Sequence, residues 1–133
     1  MKKYYLIIMA LATGFLFIRA TINSTPTEVN TNPQVPGFEI PQDVQAVIDN
    51  SCYGCHNSDS RNEKGKKKLQ FDKLGELSKA KLAGKLTSIS EVITDGDMPP
   101  KKVLADHPDM ALTDETGKTL TGWAKRVSDQ LTQ

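Results

Sequence analysis

Apolar residues follow helical spacing in three stretches of the chain, and no stretch alternates in the manner of a β-strand. In the first stretch, Val44, Val47 and Ile48 occupy positions i, i+3 and i+4 of a segment that runs from Pro41 to about Cys52. This spacing places the three side chains on one face of a helix. Proline suits the first helical turn, where its missing N–H costs nothing. We therefore predict a short amphipathic helix that leads into Cys52.

A second helical region is predicted between Asp72 and Thr94. Ser78 is a suitable N-cap, and Gly96 is a suitable stop just beyond the last turn. The segment Leu69 to Leu77 is expected to form a separate turn ahead of the helix. The apolar stripe has the spacing i, i+4, i+7 and i+11, and it consists of Leu82, Leu86, Ile89 and Ile93.

The last predicted helix begins after Thr113, which is a favourable N-cap. Asp114 and Glu115 follow it, near the positive end of the helix dipole. Three helices without a strand pattern or an internal repeat predict an all-α fold. The buried face of the last helix is expected to contain Leu120, Trp123, Val127 and Leu131.

The N-terminal region has a different composition from the rest of the chain. Lys2 and Lys3 precede an apolar run over residues 4–18, so residues 1–20 are predicted to be a signal peptide or an N-terminal membrane anchor. Residues 21–40 are rich in Thr, Asn and Pro, which predicts a flexible linker. The folded domain is expected to span residues 41–133. Residues 57–68, polar and rich in lysine, are expected to form a solvated loop.

Charge and composition narrow the class of protein. The whole chain has a formal net charge of +1, and a quarter of its residues are charged, which is typical of a folded domain. Removing residues 1–20 takes away three of the 17 basic residues and leaves 14 against 16 acidic ones, a net charge of −2. This acidic balance disfavours a nucleic-acid partner.

The residues with the most specific chemistry are Cys52, Tyr53, Gly54, Cys55 and His56. A C-x-x-C-H string is typical of covalent haem attachment, in which both thiols bond to the porphyrin edge and the histidine ligates iron. Gly54 is expected to supply a backbone conformation that the tight turn needs. The histidine is expected to bind iron through Nε2 while Nδ1–H donates to a backbone carbonyl.

Three other interpretations of the two cysteines are weaker. A thioredoxin-like redox pair needs a βαβ context, which the sequence lacks. A zinc site would use Cys52, Cys55, His56 and His107, but consecutive ligands are awkward and no second C-x-x-C exists. A plain disulfide remains the third alternative in an oxidising compartment.

A second iron ligand is predicted at Met98, in the string Asp-Gly-Asp-Met-Pro-Pro. A thioether opposite histidine is the usual pair in electron-transfer cytochromes. Pro99 restricts the backbone of Met98 and would help to hold its sulfur. His107 and Met110 are the rival ligands, although His107 suits a turn and Met110 suits packing. The haem pocket is expected to be lined by Val47, Ile48, Phe71, Leu82, Leu86, Ile89, Ile93, Leu120 and Trp123.

The chain resembles class I cytochromes c, and more closely the small bacterial haem-binding domain proteins among exported cytochromes. The resemblance is collinear over residues 41–128. It implies a small helical domain around one haem c, with Cys52 and Cys55 as thioether residues, and with His56 and Met98 as the iron ligands. The strings that carry it are Cys52–His56, Leu69–Lys73, Gly96–Pro100, His107–Thr113 and Trp123–Ala124.

These features predict a monomeric mono-haem electron carrier in the periplasm or on the outer face of the membrane, cycling between Fe(III) and Fe(II). Its expected partners are redox proteins, with the apolar run over residues 4–18 as an alternative membrane tether. The alternative function is a peroxidase-like haem enzyme or a gas sensor, in which the sixth ligand of the iron is labile.

Overall fold

The computed structural model describes residue 35 and residues 37–133, and within them the chain is helical without strands. The all-α prediction is therefore confirmed. The predicted signal or anchor over 1–20, and the predicted linker as far as residue 34, lie outside the described residues. Among the described residues, no helix combines the length and hydropathy needed to cross a membrane. The described residues form five α-helices: α1 (Gln42–Ser51), α2 (Glu63–Lys68), α3 (Lys79–Thr94), α4 (Lys101–Asp106) and α5 (Asp114–Thr132).

Helix α1 forms as the periodicity predicts. It begins after Pro41, whose φ of −58° suits the approach to a helix. Its apolar face, made by Val44, Val47 and Ile48, is buried in the core. The chain before the helix also contributes, because the rings of Phe38 and Trp123 lie 6.2 Å apart between centroids at a tilted angle of 46°. This face orients α1 so that its last turn delivers Cys52 to the site described below.

Helices α3 and α5 form the frame of the domain, and they make the most extensive helix–helix contact. Leu82, Leu86 and Ile89 of α3 are buried, as predicted, and Ile93 packs against the core from its edge. Burying each such side chain contributes about 1.5–3 kcal/mol. On α5 the buried apolar residues are Leu120, Trp123 and Ala124, with the predicted Val127 and Leu131 packed partly against them.

The N-terminus of α5 and the C-terminus of α3 are both defined by local hydrogen bonds. Thr113 caps α5 in a capping box with Thr116. Gly96 ends α3 with a φ of +72°, a conformation that favours glycine. The amide of Gly96 donates to the carbonyl of Ile93 at 3.1 Å, and that of Asp97 to Val92 at 2.9 Å. This is a Schellman motif, and it fixes the direction in which the chain leaves α3.

The prediction of a loop over residues 57–68 is wrong at its C-terminal end, where α2 forms. Asn62 caps this helix, because its side-chain oxygen accepts a hydrogen bond of 3.0 Å from the amide of Gly65. Helix α2 is short and consists mostly of lysines, so it has no apolar periodicity by which the sequence could predict it. The short helix α4 was also not predicted. Two 3₁₀ helices complete the fold, over Phe71–Glu76 and Pro108–Met110.

Candidate functional site

A cavity of about 520 Å³ opens between the end of α1, the middle of α3 and the chain around α4. Its volume falls within the range of about 300–1,000 Å³ that cofactor sites occupy. Most of its wall is apolar. The lining residues are Ser51, Cys52, Cys55, His56, Lys68, Leu69, Phe71, Lys85, Ser88, Ile89, Val92, Ile93, Met98, Pro99, Pro100, Val103, Met110, Leu112 and Leu120.

The structure brings all four predicted site residues to this one cavity: Cys52, Cys55, His56 and Met98. The two cysteines and the histidine come from one turn of chain. The amides of Cys55 and His56 each donate to the carbonyl of Cys52 at 3.1 Å, which closes the turn directly after α1. Both cysteines are free thiols and half-buried. Their side chains are therefore available on the cavity wall.

The role expected of Gly54 in this turn is not what the structure shows. Among the described residues, a positive φ occurs only at Gly37 and Gly96. A Cβ added at Gly54 would also meet no atom within 4 Å. The turn therefore forms without a conformation reserved for glycine.

The His56 ring is oriented by two contacts, and its backbone is held by a third. Its Nδ1 lies 3.0 Å from the carbonyl oxygen of Gly65. A carbonyl can only accept, so Nδ1 carries the proton and Nε2 keeps its lone pair. The ring also meets the edge of Phe71 at 85°, and the amide of Phe71 donates to the carbonyl of His56 at 2.9 Å. This arrangement leaves Nε2 as the nitrogen that can ligate a metal.

Gly65 is a site residue that the sequence did not reveal. It is buried in α2, and a Cβ built on it would lie 2.5 Å from the carbonyl oxygen of Cys55. No side chain fits at that distance, so only glycine lets α2 approach the turn of the two cysteines. The close approach is what brings the carbonyl of Gly65 to His56. The one signal in the sequence is a glycine inside a run of lysines.

The loop after His56 is held by Asp72, the second residue of the 3₁₀ helix over Phe71–Glu76. Its carboxylate accepts a hydrogen bond of 3.0 Å from the amide of Ser58. Desolvation raises the pKa of Asp72, but hydrogen bonding from Ser58 outweighs it and holds that pKa below its ordinary value. The carboxylate is therefore charged at neutral pH and ties the loop to Phe71.

The environment of the thiols does not suit a redox pair. Burial raises the pKa of the Cys52 thiol to about 11, and the neighbouring Cys55 adds to the shift. Thiol–disulfide catalysts instead lower the pKa of the attacking cysteine, because the thiolate is the nucleophile. The zinc alternative also finds no support: the described part of the chain holds no cluster of three His, Cys, Asp or Glu side chains able to bind a metal.

The cavity wall also carries two methionines. Met98, at 36% exposure, is one of the two large apolar side chains most exposed in the described region. Met110, expected as a packing residue, is half-buried and also lines the cavity. His107, the other rival ligand, is exposed and does not line it. The thioethers, and not His107, are thus placed on the wall.

The predicted lining of the pocket is correct for four residues and wrong for five. Phe71, Ile89, Ile93 and Leu120 line the cavity. The other five belong to the core behind it, because the same helices also pack on each other, and periodicity does not tell these two faces apart. They are Val47, Ile48, Leu82, Leu86 and Trp123.

A comparison with protein families also points to a cofactor site in this part of the chain. Residues 61–126 match the family model described as "Haem-binding domain". The matched range covers 66 of the 133 residues, and over this range the chain is similar to the haem-binding domain family. The matched range begins after His56, so it includes Met98, helices α2 to α4 and α5 as far as Arg126, but not the two cysteines or His56. No curated protein and no solved structure matches the chain significantly.

The residues present fit a haem. The cavity has apolar walls, a histidine with one nitrogen free, two thiols three positions apart, and thioether sulfurs on the wall. This donor set is the one that c-type haem uses: thiols for the porphyrin edge, and imidazole and thioether for the iron.

Proposed function

We propose that the protein is a mono-haem c-type cytochrome that carries electrons outside the cytoplasm. The observation that supports this most strongly is the meeting of Cys52, Cys55, His56 and Met98 on one cavity, with His56 held by Gly65. The family match supports haem binding, and the covalent attachment is our own inference from the two cysteines.

Cys52 and Cys55 would hold the haem. Each thiol S–H would add across one vinyl C=C of the porphyrin, so that a carbon–sulfur bond would form, the hydrogen would go to the other vinyl carbon and nothing would leave. The turn that joins the two cysteines is closed by the bonds to the carbonyl of Cys52. It therefore keeps both thiols on the same wall before attachment.

His56 would be one iron ligand, through Nε2, and Met98 would be the other. The bond from Nδ1 to Gly65 fixes the tautomer and makes the imidazole a stronger donor. When bound, the haem iron supplies one-electron chemistry between Fe(III) and Fe(II). The thioether of Met98 favours the reduced state and so raises the potential. The apolar wall made by Phe71, Ile89 and Leu120 excludes water from the site.

Export is part of the proposal, and it rests on the sequence of residues 1–20. The thioether bonds require a compartment in which the thiols meet haem. A cleaved signal would leave a free electron carrier, and a retained apolar run would tether it to the membrane. Redox proteins in the same compartment would be the partners.

The first test is covalent haem after expression in a host that attaches haem in the periplasm. The wild type should keep its haem on a denaturing gel, whereas Cys52→Ser/Cys55→Ser should lose it. A wild-type protein that reaches the periplasm without covalent haem would refute the proposal.

The second test identifies the sixth ligand through the far-red absorption band of a Met–Fe(III) bond. Met98→Ala should abolish the band. His107→Ala should keep it, because His107 lies off the cavity wall. Met110→Ala is the matched control among the thioethers. Loss of the band in Met110→Ala alone would move the ligand to Met110.

The exposure of Met98 favours one second candidate, a gas sensor or peroxidase-like protein with a labile sixth ligand. Met98 is 36% exposed, whereas His56 is half-buried and its ring is hydrogen-bonded to Gly65. Carbon monoxide added to the reduced protein distinguishes the two. An electron carrier should bind it weakly, whereas rapid, tight binding by the wild type would favour the second candidate.

A further inference from the structure

The cavity has a charged edge of one sign. Among the described residues that line it, Lys68 and Lys85 are the only lysines or arginines, and none is an aspartate or glutamate. The rest of the wall is apolar or carries a hydroxyl. A ligand that matches this wall has an apolar body with an anionic edge.

The two lysines are held close to each other. The ammonium group of Lys85, half-buried on α3, donates a hydrogen bond to the carbonyl of Lys68, the last residue of α2. An ammonium group has three donor hydrogens, so two remain for a further acceptor. The contact joins α3 to the backbone at the end of α2, beside the cavity that both residues line.

Neither lysine has a carboxylate partner within the described residues. The salt bridges found there join Lys73 to Glu76 and Lys125 to Asp129, all on the surface. Lys68 is exposed, whereas Lys85 is half-buried, so the ammonium group of Lys85 loses part of its hydration and an anion would offset that loss. We therefore expect the bound ligand to supply the anionic group that pairs with these lysines.

We propose that Lys68 and Lys85 bind the two propionate carboxylates of the haem. This inference rests on the proposed haem site, since the propionates are the anionic edge of an otherwise apolar plane. The lysines would orient the haem by its propionates, opposite the edge that the thiols hold. Their positive charge would also lower the propionate pKa values and favour the reduced iron.

The test compares Lys68→Gln/Lys85→Gln with the control Lys67→Gln/Lys81→Gln. The control removes the same charge from the same two helices, at positions off the cavity wall. The midpoint potential is measured across the pH range in which the propionates titrate. We expect a lower potential in Lys68→Gln/Lys85→Gln, and an inflection shifted to higher pH, while the control stays close to the wild type. Lys68→Arg/Lys85→Arg should restore both values.

Covalent haem content is measured on the same preparations, so the two proposals fail separately. A wild-type protein without haem overturns both. A haem-loaded Lys68→Gln/Lys85→Gln whose potential and inflection match those of the control overturns the lysine proposal alone. Loss of haem from the glutamine variant, restored by the arginine variant, supports the lysine proposal.

Discussion

The two walls of the cavity are built in different ways. The histidine wall, residues 52–72, is tied together by bonds between distant residues: His56 to Gly65, His56 to Phe71 and Ser58 to Asp72. It also has buried residues of its own, among them Ser60 and Gly65. Each of these bonds joins parts of the chain that would otherwise separate on local opening.

The methionine wall, residues 97–112, is held mainly by local turns. Helix α4 and the 3₁₀ helix over Pro108–Met110 contain no buried residue. Its backbone bonds reach three to six positions along the chain. One longer bond joins it to α1, from the side chain of Asn50 to the carbonyl of Asp109 at 3.0 Å. The domain thus combines a rigid holder for the histidine with an adaptable cover that carries the thioethers.

Amide hydrogen exchange should show this difference most strongly. We expect amides of α4 to exchange at least roughly 1,000-fold faster than those of α3, because opening of a segment without buried residues needs little free energy. The measurement is made on the haem-loaded protein by mass spectrometry or NMR. Equal protection of the two helices would contradict the comparison.

Gly65→Ala should damage the histidine wall. The added Cβ would lie 2.5 Å from the carbonyl oxygen of Cys55, so α2 has to move away. We expect a loss of about 1–3 kcal/mol in the free energy of unfolding, measured by denaturant titration. Gly54→Ala is the control in the same wall, since its Cβ meets open space, and it should change stability by less than about 0.5 kcal/mol. A harmless Gly65→Ala would show that α2 does not position His56.

Gly96→Ala tests the entry to the methionine wall. Alanine at a φ of +72° costs about 1 kcal/mol, and relaxation of that strain would redirect the chain toward Met98. We expect a small loss of stability and a weaker Met–Fe(III) band. The control is Gly84→Ala, an exposed position within the same helix, which should add up to about 1 kcal/mol. An unchanged band in Gly96→Ala would mean that Met98 is placed without the Schellman motif.

The contrast between the walls also explains what the sequence could predict. Helices α1, α3 and α5 have apolar stripes, so their positions follow from periodicity. The pair of cysteines, His56 and Met98 stand out by their chemistry and spacing. Gly65 and Lys85 act through contacts with residues 9–17 positions away, and such contacts leave no local pattern. The short helix α2 depends on the same kind of context, whereas α4 is held by local bonds and is too short to show an apolar period.

Because α3 ends at a defined residue, the position of Met98 depends on the number of residues between the core contact of Ile89 and the stop at Gly96. Ile89 fixes the register of the helix against the core, and the stop at Gly96 fixes where the chain leaves it. Inserting one residue between them would rotate everything beyond by about 100° and shift it by about 1.5 Å. The thioether would then point away from the cavity. We expect insertions and deletions among members of the family to fall outside residues 86–98, in turns that contain no core residue.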